Sequence, residues 1–434
     1  MHGVEDVLVH RVNVEGFGLS ERGKLVRKFA VRLPELPEDI QLVIMDEPSP
    51  KGGALSYEAV FEEGRDLKES GAQEYFDYLT APIDPEAMSI LIYTSGTSGR
   101  AKGVMLSQHN ICFVVMSNSS IADIGPGVKG DPDRVIDADG CYVMPGLIDM
   151  HTHLREPGFR EKETIESGAR AAARGGFTTI CAMPNTKPVT DNPYTVSDII
   201  RQADNEALIH VLVIGAMTKG QRGEETANIE GMYDEGIIAV SEDGRSVKNA
   251  AVCLEAMKEA ARLGLPVFDH CEDADLADGG VFNAGPAAER FHVKGIPGAA
   301  EDSIAARDIV LARAAGAHLH LCHVSTKEST LLVHLAKESG TDISAEVTPH
   351  HFTLCDEDID SADAAFKMNP PLRSREDMEA LREALRAGII DVIATDHAPH
   401  TQAEKDQALE KAPFGIVGLE TALPLTYTTL VQGG

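Results

Sequence analysis

The chain has 434 residues, 43% of them hydrophobic, so it is long enough to bury one or more sizeable cores. Its 69 acidic and 39 basic side chains give a formal charge of −30, which disfavours binding to nucleic acid or to an anionic membrane. The sequence shows no membrane-length apolar run and no signal-peptide pattern, and its seven cysteines have no CxxC spacing. We therefore expect a cytoplasmic globular protein that acts on a small molecule.

In the first 117 residues, proline, glycine and acidic residues recur at irregular intervals. The sequence there shows no regular alternation of predicted strands and helices. Within these residues, LIYTSGTSGRAKGVMLSQHN (91–110) predicts a strand followed by a Ser/Thr/Gly loop and Lys102. This stretch resembles the phosphate loop of adenylate-forming, acyl-CoA synthetase-like (AMP-binding) enzymes, although Ala101 stands where that family usually has proline. Nothing downstream resembles the rest of that family's site. We expect residues 1–117 to be a foreign α/β fragment without adenylating activity.

A short glycine-punctuated segment follows. SIADIGPGVKGDPDRVIDADGCY (120–142) predicts two or three short strands, with turns at Gly125, Gly127 and Gly140. We expect residues 118–142 to form a partial small β domain.

From residue 143 onward, eight β-branched runs alternate with Ala/Glu/Arg-rich helical stretches such as TIESGARAAARGG and REDMEALREALRAG. The runs are YVMPGLID, FTTICAM, HVLVIGAM, GIIAVSED, LPVFDHC, HLHLCHVS, ISAEVTPHH and DVIATDHA. Eight parallel strands with intervening helices close into a (β/α)₈ TIM-type barrel. An open doubly wound sheet is the alternative, but such a sheet usually has a glycine-rich first turn, and here the first strand ends in HTHLREPG.

Metal-ligand residue types recur at the ends of these runs. Alternate strand residues share a face, so His151 and His153 point together into the mouth of the barrel. An isolated HxH pair could instead be two hydrogen-bonded core histidines, which is the less favoured interpretation. Here further candidates follow later runs, and nitrogen and oxygen ligands of this kind suit zinc. These candidates are Asp243, His270, His323 and Asp396.

Several motifs together carry a specific resemblance. MPGLIDMHTHLREPG, CAMPNTKP, DHCEDADL, HLCHVST, AEVTPHHF, MNPPLRS and IATDHAPHTQAEK resemble successive signatures of class I dihydroorotases in the amidohydrolase superfamily. Members of that family interconvert N-carbamoyl-L-aspartate and dihydroorotate at a zinc site, a step in pyrimidine biosynthesis. The resemblance runs from about residue 120 to residue 431.

The resemblance implies a ligand set for two zinc ions per chain. His151, His153 and Asp396 would hold one ion and His270 with His323 the other, with Asp243 and a hydroxide between them. Hydantoinases, dihydropyrimidinases and allantoinases use a carboxylated lysine as the bridge, whereas this chain has VSEDG there. We interpret nearby Lys248 as a surface charge. We also expect Cys271 and Cys322 to face away from the ligands and to act as small apolar residues.

The resemblance also implies how substrate is held and protonated. Asp396 would be the catalytic residue that takes a proton from the nucleophile and gives it to the departing nitrogen. Arg155 can grip a carboxylate through two parallel N–H bonds. The remaining implied substrate contacts are His153, Asn185, Asn369, His400 and the backbone at Phe414 and Gly415. Asn185 and Asn369 could instead cap turns, and His400 could lie behind the substrate contacts.

Two other functions stay open. One is hydantoinase- or dihydropyrimidinase-like cleavage of another cyclic amide. The other is a catalytically silent scaffold, such as a partner of aspartate transcarbamoylase, because both ends depart from the family and residues 143–434 look like a barrel truncated at its C-terminus. A homodimer is a further option for the assembly of this chain. We expect neither nucleic acid nor membrane as a partner.

Overall fold

The computed structural model describes residues 145–432 and seven earlier strands. These strands are β1 (Lys28–Arg32), β2 (Val43–Ile44), β3 (Leu55–Ser56), β4 (Met88–Ser95), β5 (Ala101–Ser107), β6 (Ser120–Gly125) and β7 (Arg134–Asp137). Residues 96–100 of the Ser/Thr/Gly loop, the expected turns at Gly127 and Gly140, and the expected boundaries at 117 and 142 lie outside the described residues.

The early strands form two sheets. One is three-stranded, with β1 between β6 and β7 and antiparallel to both. The other has the order β3-β2-β5-β4, in which β4 and β5 are antiparallel. The three-stranded sheet joins residues from both sides of the expected boundary near 117, and that boundary remains a prediction.

Eight parallel strands form the main sheet. They are β8 (Leu147–Thr152), β9 (Phe177–Ala182), β10 (His210–Ala216), β11 (Ala239–Ser241), β12 (Val267–Asp269), β15 (Leu319–Leu321), β16 (Ile343–Val347) and β17 (Val392–Ile393). Between β12 and β15 the chain makes a two-stranded excursion, β13 (Phe282–Asn283) and β14 (Gly295–Ile296). The strand order follows the chain without reversal, which rules out the doubly wound alternative.

The first and last strands of this sheet meet. A parallel bridge joins Thr152 to His397, and the His153 amide donates to the His397 carbonyl over 2.8 Å. The buried Asp149 carboxylate accepts from the backbone N–H of Thr395 (3.1 Å) and from its hydroxyl (2.6 Å). The expected (β/α)₈ barrel is therefore confirmed.

Helices alternate with the strands. They are α1 (Ile165–Arg174), α2 (Pro193–Glu206), α3 (Ile229–Glu235), α4 (Ala250–Leu263), α5 (Ala274–Ala277), α6 (Pro286–Phe291), α7 (Ala299–Ala315), α8 (Lys327–Glu338), α9 (Pro349–Thr353), α10 (Arg375–Arg386), α11 (Gln402–Lys405) and α12 (Ala422–Thr426). Short 3₁₀ turns lie at Lys219–Gln221, Asp356–Asp358 and Ala364–Phe366, and a π-helical turn at Tyr427–Gln432 ends the described chain. Among the described residues, none of these helices has the length and hydropathy needed to span a membrane.

Helix α4 shows how local sequence sets these elements. It begins after Asn249, whose side-chain oxygen accepts from the Ala251 amide, and it ends at Gly264, whose φ of 72° suits glycine. Its buried residues recur at helical spacing: Cys253, Ala256, Met257 and Ala260. Such helices cover a barrel interior that includes Cys181, Ile214, Ala239, Phe268 and Cys322.

Candidate metal centre

All six expected ligands lie at the carboxyl ends of barrel strands. His151 is in β8 and His153 follows it, while Asp243 lies just past β11. The other three are His270 after β12, His323 after β15 and Asp396 after β17. Each is at most 6% exposed, so the barrel scaffold brings these polar groups into one buried cluster.

Asp243 lies at the centre of this cluster. Its Oδ1 is 3.3 Å from His151 Nε2, and its Oδ2 is 3.4 Å from His153 Nε2. The same Oδ1 is 3.6 Å from both His270 Nδ1 and His323 Nε2. Two groups of side chains that both include Asp243 have ligand atoms close enough together to bind a metal ion. One group contains the HxH pair, and the other contains His270 and His323.

Asp396 lies on the HxH side of the cluster. Its Oδ1 is 3.0 Å from His153 Nε2 and 3.5 Å from His151 Nε2. On the other side, His270 Nδ1 and His323 Nε2 are 2.8 Å apart. The chain thus presents three nitrogen or oxygen ligands on one side and two on the other, with Asp243 between them.

The buried carboxylates and imidazoles of the cluster stabilise one another's charges. Burial raises the pKa of Asp243, but the imidazoles of His151, His270 and His323 outweigh it and hold the pKa well below its usual value. Burial likewise opposes ionisation of Asp396, yet His151 and His153 lower its pKa to about 2. Burial lowers the pKa of His151, but the charges of Asp243 and Glu346 raise it well above the ordinary value.

The cluster leaves several buried atoms unsatisfied. His151 Nε2, Asp243 Oδ1 and His270 Nε2 are buried without a hydrogen-bond partner among the described residues. Native proteins rarely leave such atoms unpaired unless an ion or ligand completes them. The all-nitrogen-and-oxygen donor set fits zinc, so the residues present suit the metal that the sequence implies.

Three residues in or beside the ligand cluster have a left-handed backbone conformation. Arg155, His323 and Asp396 have φ values of 60°, 34° and 49°, in the left-handed region that favours glycine. Gln221, with φ 51°, donates from Nε2 to the Asp243 carbonyl over 3.1 Å. Non-glycine residues in this region concentrate at functional sites, and here they hold or adjoin the ligands.

Sequence reasoning missed Glu346 on β16. This fully buried carboxylate accepts from His151 Nδ1 (2.6 Å) and, through the same Oε1, from the His323 amide (3.1 Å). Its Oε2 lies 3.1 Å from His320 Nε2. Glu346 therefore fixes the orientation of one ligand and the backbone of another. Its signal was a charged residue inside the apolar run ISAEV.

The expectation that Cys322 faces away from the ligands is wrong. Its thiol groups with His151 and Glu346 inside the barrel, on the face that His320 also occupies, whereas His323, with φ 34°, departs from the alternation of the strand. Cys271 instead lies 3.3 Å from an Asp269 carboxylate oxygen. Burial raises the pKa of both thiols, so neither is a ready thiolate ligand. Lys248 pairs at the surface with Asp275 over 2.9 Å, as expected of a surface charge.

Several expected substrate contacts cluster beside the ligands. Arg155 Nη2 lies 3.2 Å from His400 Nε2, and that nitrogen lies 2.7 Å from the Phe414 carbonyl. Asn185 Oδ1 is 2.9 Å from His153 Nδ1. Gly415 has φ 128°, and a Cβ there would lie 2.6 Å from the Ala398 carbonyl oxygen, so glycine is required.

Among the described residues, the Asn369 side chain forms no hydrogen bond or ion pair with this group. Its side-chain oxygen is buried without a hydrogen-bond partner, which suits a group that waits for a ligand. The alternative for Asn185, a turn cap, is disfavoured because its side-chain oxygen is directed at the His153 imidazole.

Replacing Glu346 by glutamine tests its contact with the metal ligands. We expect zinc affinity to fall about 10–100-fold, because the variant keeps the shape but loses the charge that supports His151. Competition with a chromogenic chelator measures this directly. Glu156→Gln is the matched control, since Glu156 is also buried but accepts from the Ile165 amide and from Gln202. Equal affinities for the wild type and Glu346→Gln would contradict the assigned role.

A barrel with buried histidines and carboxylates at the carboxyl ends of its strands is typical of metal-dependent amidohydrolases. A family model described as "Dihydro-orotase-like" matches residues 140–329. Dihydroorotases of Bacillus cytotoxicus and Halalkalibacterium halodurans are each 50% identical to this chain over 321 residues, covering 74% of it and 75% of each relative. The chain belongs to the dihydroorotase family, and its activity is that of a dihydroorotase, a cyclic amidohydrolase.

Solved structures give the same fold. An L-hydantoinase (dihydropyrimidinase) from Arthrobacter aurescens matches with a TM-score of 0.65 and 27% identity, over 73% of this chain and 72% of that one. A D-hydantoinase (dihydropyrimidinase) from Thermus sp. matches with a TM-score of 0.60 and 27% identity, over 73% and 72%. In the N-terminal part, a model described as "AMP-binding enzyme" matches residues 29–146, which confirms the second resemblance.

Proposed function

We propose that the dihydroorotase activity depends on two zinc ions held by the buried cluster. His151, His153 and Asp396 would bind one ion, His270 and His323 the other, and Asp243 both. The observation that carries this proposal is the position of Asp243, whose two oxygens lie 3.3–3.6 Å from imidazole nitrogens of four histidines. One carboxylate shared between two ligand groups is what a two-metal site requires.

The substrate's carboxylate would bind at Arg155. Its guanidinium is half-buried and donates from Nε to the Pro399 carbonyl over 3.1 Å, while no carboxylate within residues 145–432 forms an ion pair with it. A half-buried cation without an ion-pair partner favours an anionic ligand. The planar guanidinium can also donate two parallel N–H bonds to a carboxylate. Carbamoyl aspartate has two carboxylates, and dihydroorotate keeps one of them. His153, Asn185, Asn369, His400 and the backbone at Phe414 and Gly415 would complete the pocket.

The chain's own groups account for the proton transfers. When bound, the zinc ions would lower the pKa of a water molecule and polarise the amide carbonyl that it attacks. Asp396 would take the proton of the attacking water on Oδ1 or Oδ2 and pass it to the ring nitrogen as the amide C–N bond breaks. In the cyclisation direction the same carboxylate would remove the proton from that nitrogen. Arg155 would keep the ring in place throughout.

Metal analysis of the purified chain tests this proposal. We expect about two zinc ions per chain and hydrolysis of dihydroorotate that stops when a chelator removes the zinc. His270→Asn should lower the zinc content, whereas His318→Asn, which changes a partly exposed histidine paired with Asp342, should not. A fully active chain with no bound metal would refute the proposal.

A hydantoinase-like activity is the second candidate, and the fold shared with the two hydantoinases is compatible with it. An assay with neutral hydantoins beside dihydroorotate separates the two, because Arg155 suits only an anionic ring. A silent scaffold would be expected to lack ligands, and all six are present and buried. A cytoplasmic location, and association with a second copy or with aspartate transcarbamoylase, remain predictions.

A further inference from the structure

His400 lies among groups that leave it only one hydrogen-bonding state. Lys162 Nζ is 3.2 Å from His400 Nδ1, and the Phe414 carbonyl oxygen is 2.7 Å from His400 Nε2. An ammonium group can only donate and a carbonyl oxygen can only accept. His400 Nδ1 must therefore be the accepting nitrogen, and His400 Nε2 must carry the proton.

Charge agrees with this assignment. Burial, followed by the nearby Arg155 and Lys162, lowers the pKa of His400 to about 4, so the ring is neutral at physiological pH. The other charged group that faces the ring is Glu404, whose Oε2 is 3.7 Å from His400 Nδ1. A neutral imidazole has two tautomers, and the neighbours select between them.

Lys162 is itself held in place. Its Nζ lies 2.8 Å from Glu404 Oε1, and Glu404 Oε2 accepts from the amide and the hydroxyl of Thr401 (3.0 Å each). The Lys162 side chain is only 15% exposed, so solvent screens its ion pair with Glu404 less than it screens a fully exposed pair. The ammonium is therefore fixed against the accepting nitrogen of His400.

The tautomer decides what Arg155 can do. Arg155 Nη2 lies 3.2 Å from His400 Nε2. If His400 Nε2 is protonated, both nitrogens are donors, and Arg155 Nη2 stays available for an acceptor from the substrate. In the other tautomer, His400 Nε2 would accept from Arg155 and occupy the donor that an anionic substrate needs.

We propose that Lys162 is a positioning residue that holds His400 in its Nε2–H tautomer, so that Arg155 and His400 together present N–H donors to the substrate carboxylate. This inference rests on the proposed function of Arg155 and His400 as carboxylate-binding groups. On binding, the substrate oxygen takes the place of the Phe414 carbonyl as acceptor of the His400 Nε2 proton. Lys162 acts only through His400.

Nitrogen-15 NMR of the histidine rings tests the tautomer in the substrate-free protein. The wild type should show His400 protonated at Nε2 and bare at Nδ1, and Lys162→Met should shift the population toward the Nδ1–H form. In dihydroorotate hydrolysis, Lys162→Met should raise KM about tenfold, as expected for loss of one donor to a charged group, with kcat changed less than about twofold. Lys162→Arg keeps a donor and should restore most of both properties.

Lys258→Met, at an exposed position on α4, is the control and should change neither readout. An unchanged His400 tautomer in Lys162→Met, or a changed tautomer with an unchanged KM, would overturn the inference. A wild type that binds zinc but does not turn over dihydroorotate would instead overturn the proposed function, and the NMR comparison would still decide whether Lys162 sets the tautomer. Circular dichroism melting curves verify that each variant is folded.

Discussion

Asp396→Asn should lower the rate of dihydroorotate hydrolysis about 10³-fold, which is within the usual contribution of a general acid–base group. Asparagine keeps the size of the side chain, but it can neither take a proton from the attacking water nor offer a negative oxygen to a metal. Asp396 lies 3.0 Å from His153 and 3.5 Å from His151, and Asp243, which also contacts both imidazoles, is shared with the His270 and His323 side of the cluster.

The measurement is steady-state hydrolysis in both reaction directions, combined with zinc analysis of the same samples. Asp406→Asn is a suitable control, because Asp406 follows α11 at the surface and, within residues 145–432, its carboxylate accepts a hydrogen bond from the side chain of Gln402. If Asp396→Asn kept a tenth or more of the wild-type rate with full zinc content, the carboxylate would not be the proton carrier.

Arg155→Met should raise KM for carbamoyl aspartate and dihydroorotate about 100-fold, because the variant removes two charge-assisted hydrogen bonds. Methionine fills a similar volume without donors. Arg155→Lys should recover only part of the affinity, since an ammonium group lacks the planar fork. Hydrolysis of a neutral cyclic imide, if present, should be much less affected.

Initial-rate kinetics with each substrate provide the comparison. Arg160→Met serves as the control, because Arg160 lies on the same loop but is 65% exposed and pairs with Glu156 over 2.9 Å. An anionic substrate whose KM is the same for the wild type and Arg155→Met would show that its carboxylate binds elsewhere.

Much of the barrel could be predicted from the sequence, because each buried strand is a short β-branched run bounded by helix signals. The bounds of the individual strands could be predicted less accurately than their existence. The sequence pattern predicts the first run at 142–149, whereas β8 is Leu147–Thr152, because apolar residues of the preceding connection extend the pattern. The excursion through β13 and β14 was not predicted, since two-residue strands leave no periodic pattern to detect.

The candidate ligands were predictable for a different reason. His151, His270 and Asp396 each follow an apolar run, where a polar side chain has no structural explanation of its own. The supporting contacts were not predictable. Glu346 and Lys162 acquire their roles only from partners 195 and 238 residues away in the chain, and such pairings arise from barrel closure.

The left-handed backbone at Arg155, His323 and Asp396 has an evolutionary consequence. Each position strains the chain by about 1 kcal/mol relative to glycine, so the barrel gives up thermal tolerance where it carries its reactive side chains. A laboratory selection for heat resistance alone should therefore accept glycine most readily at Arg155, which is only half-buried, because glycine at His323 or Asp396 would also leave a buried cavity. It would yield a sturdier but inert barrel, unless turnover is selected at the same time.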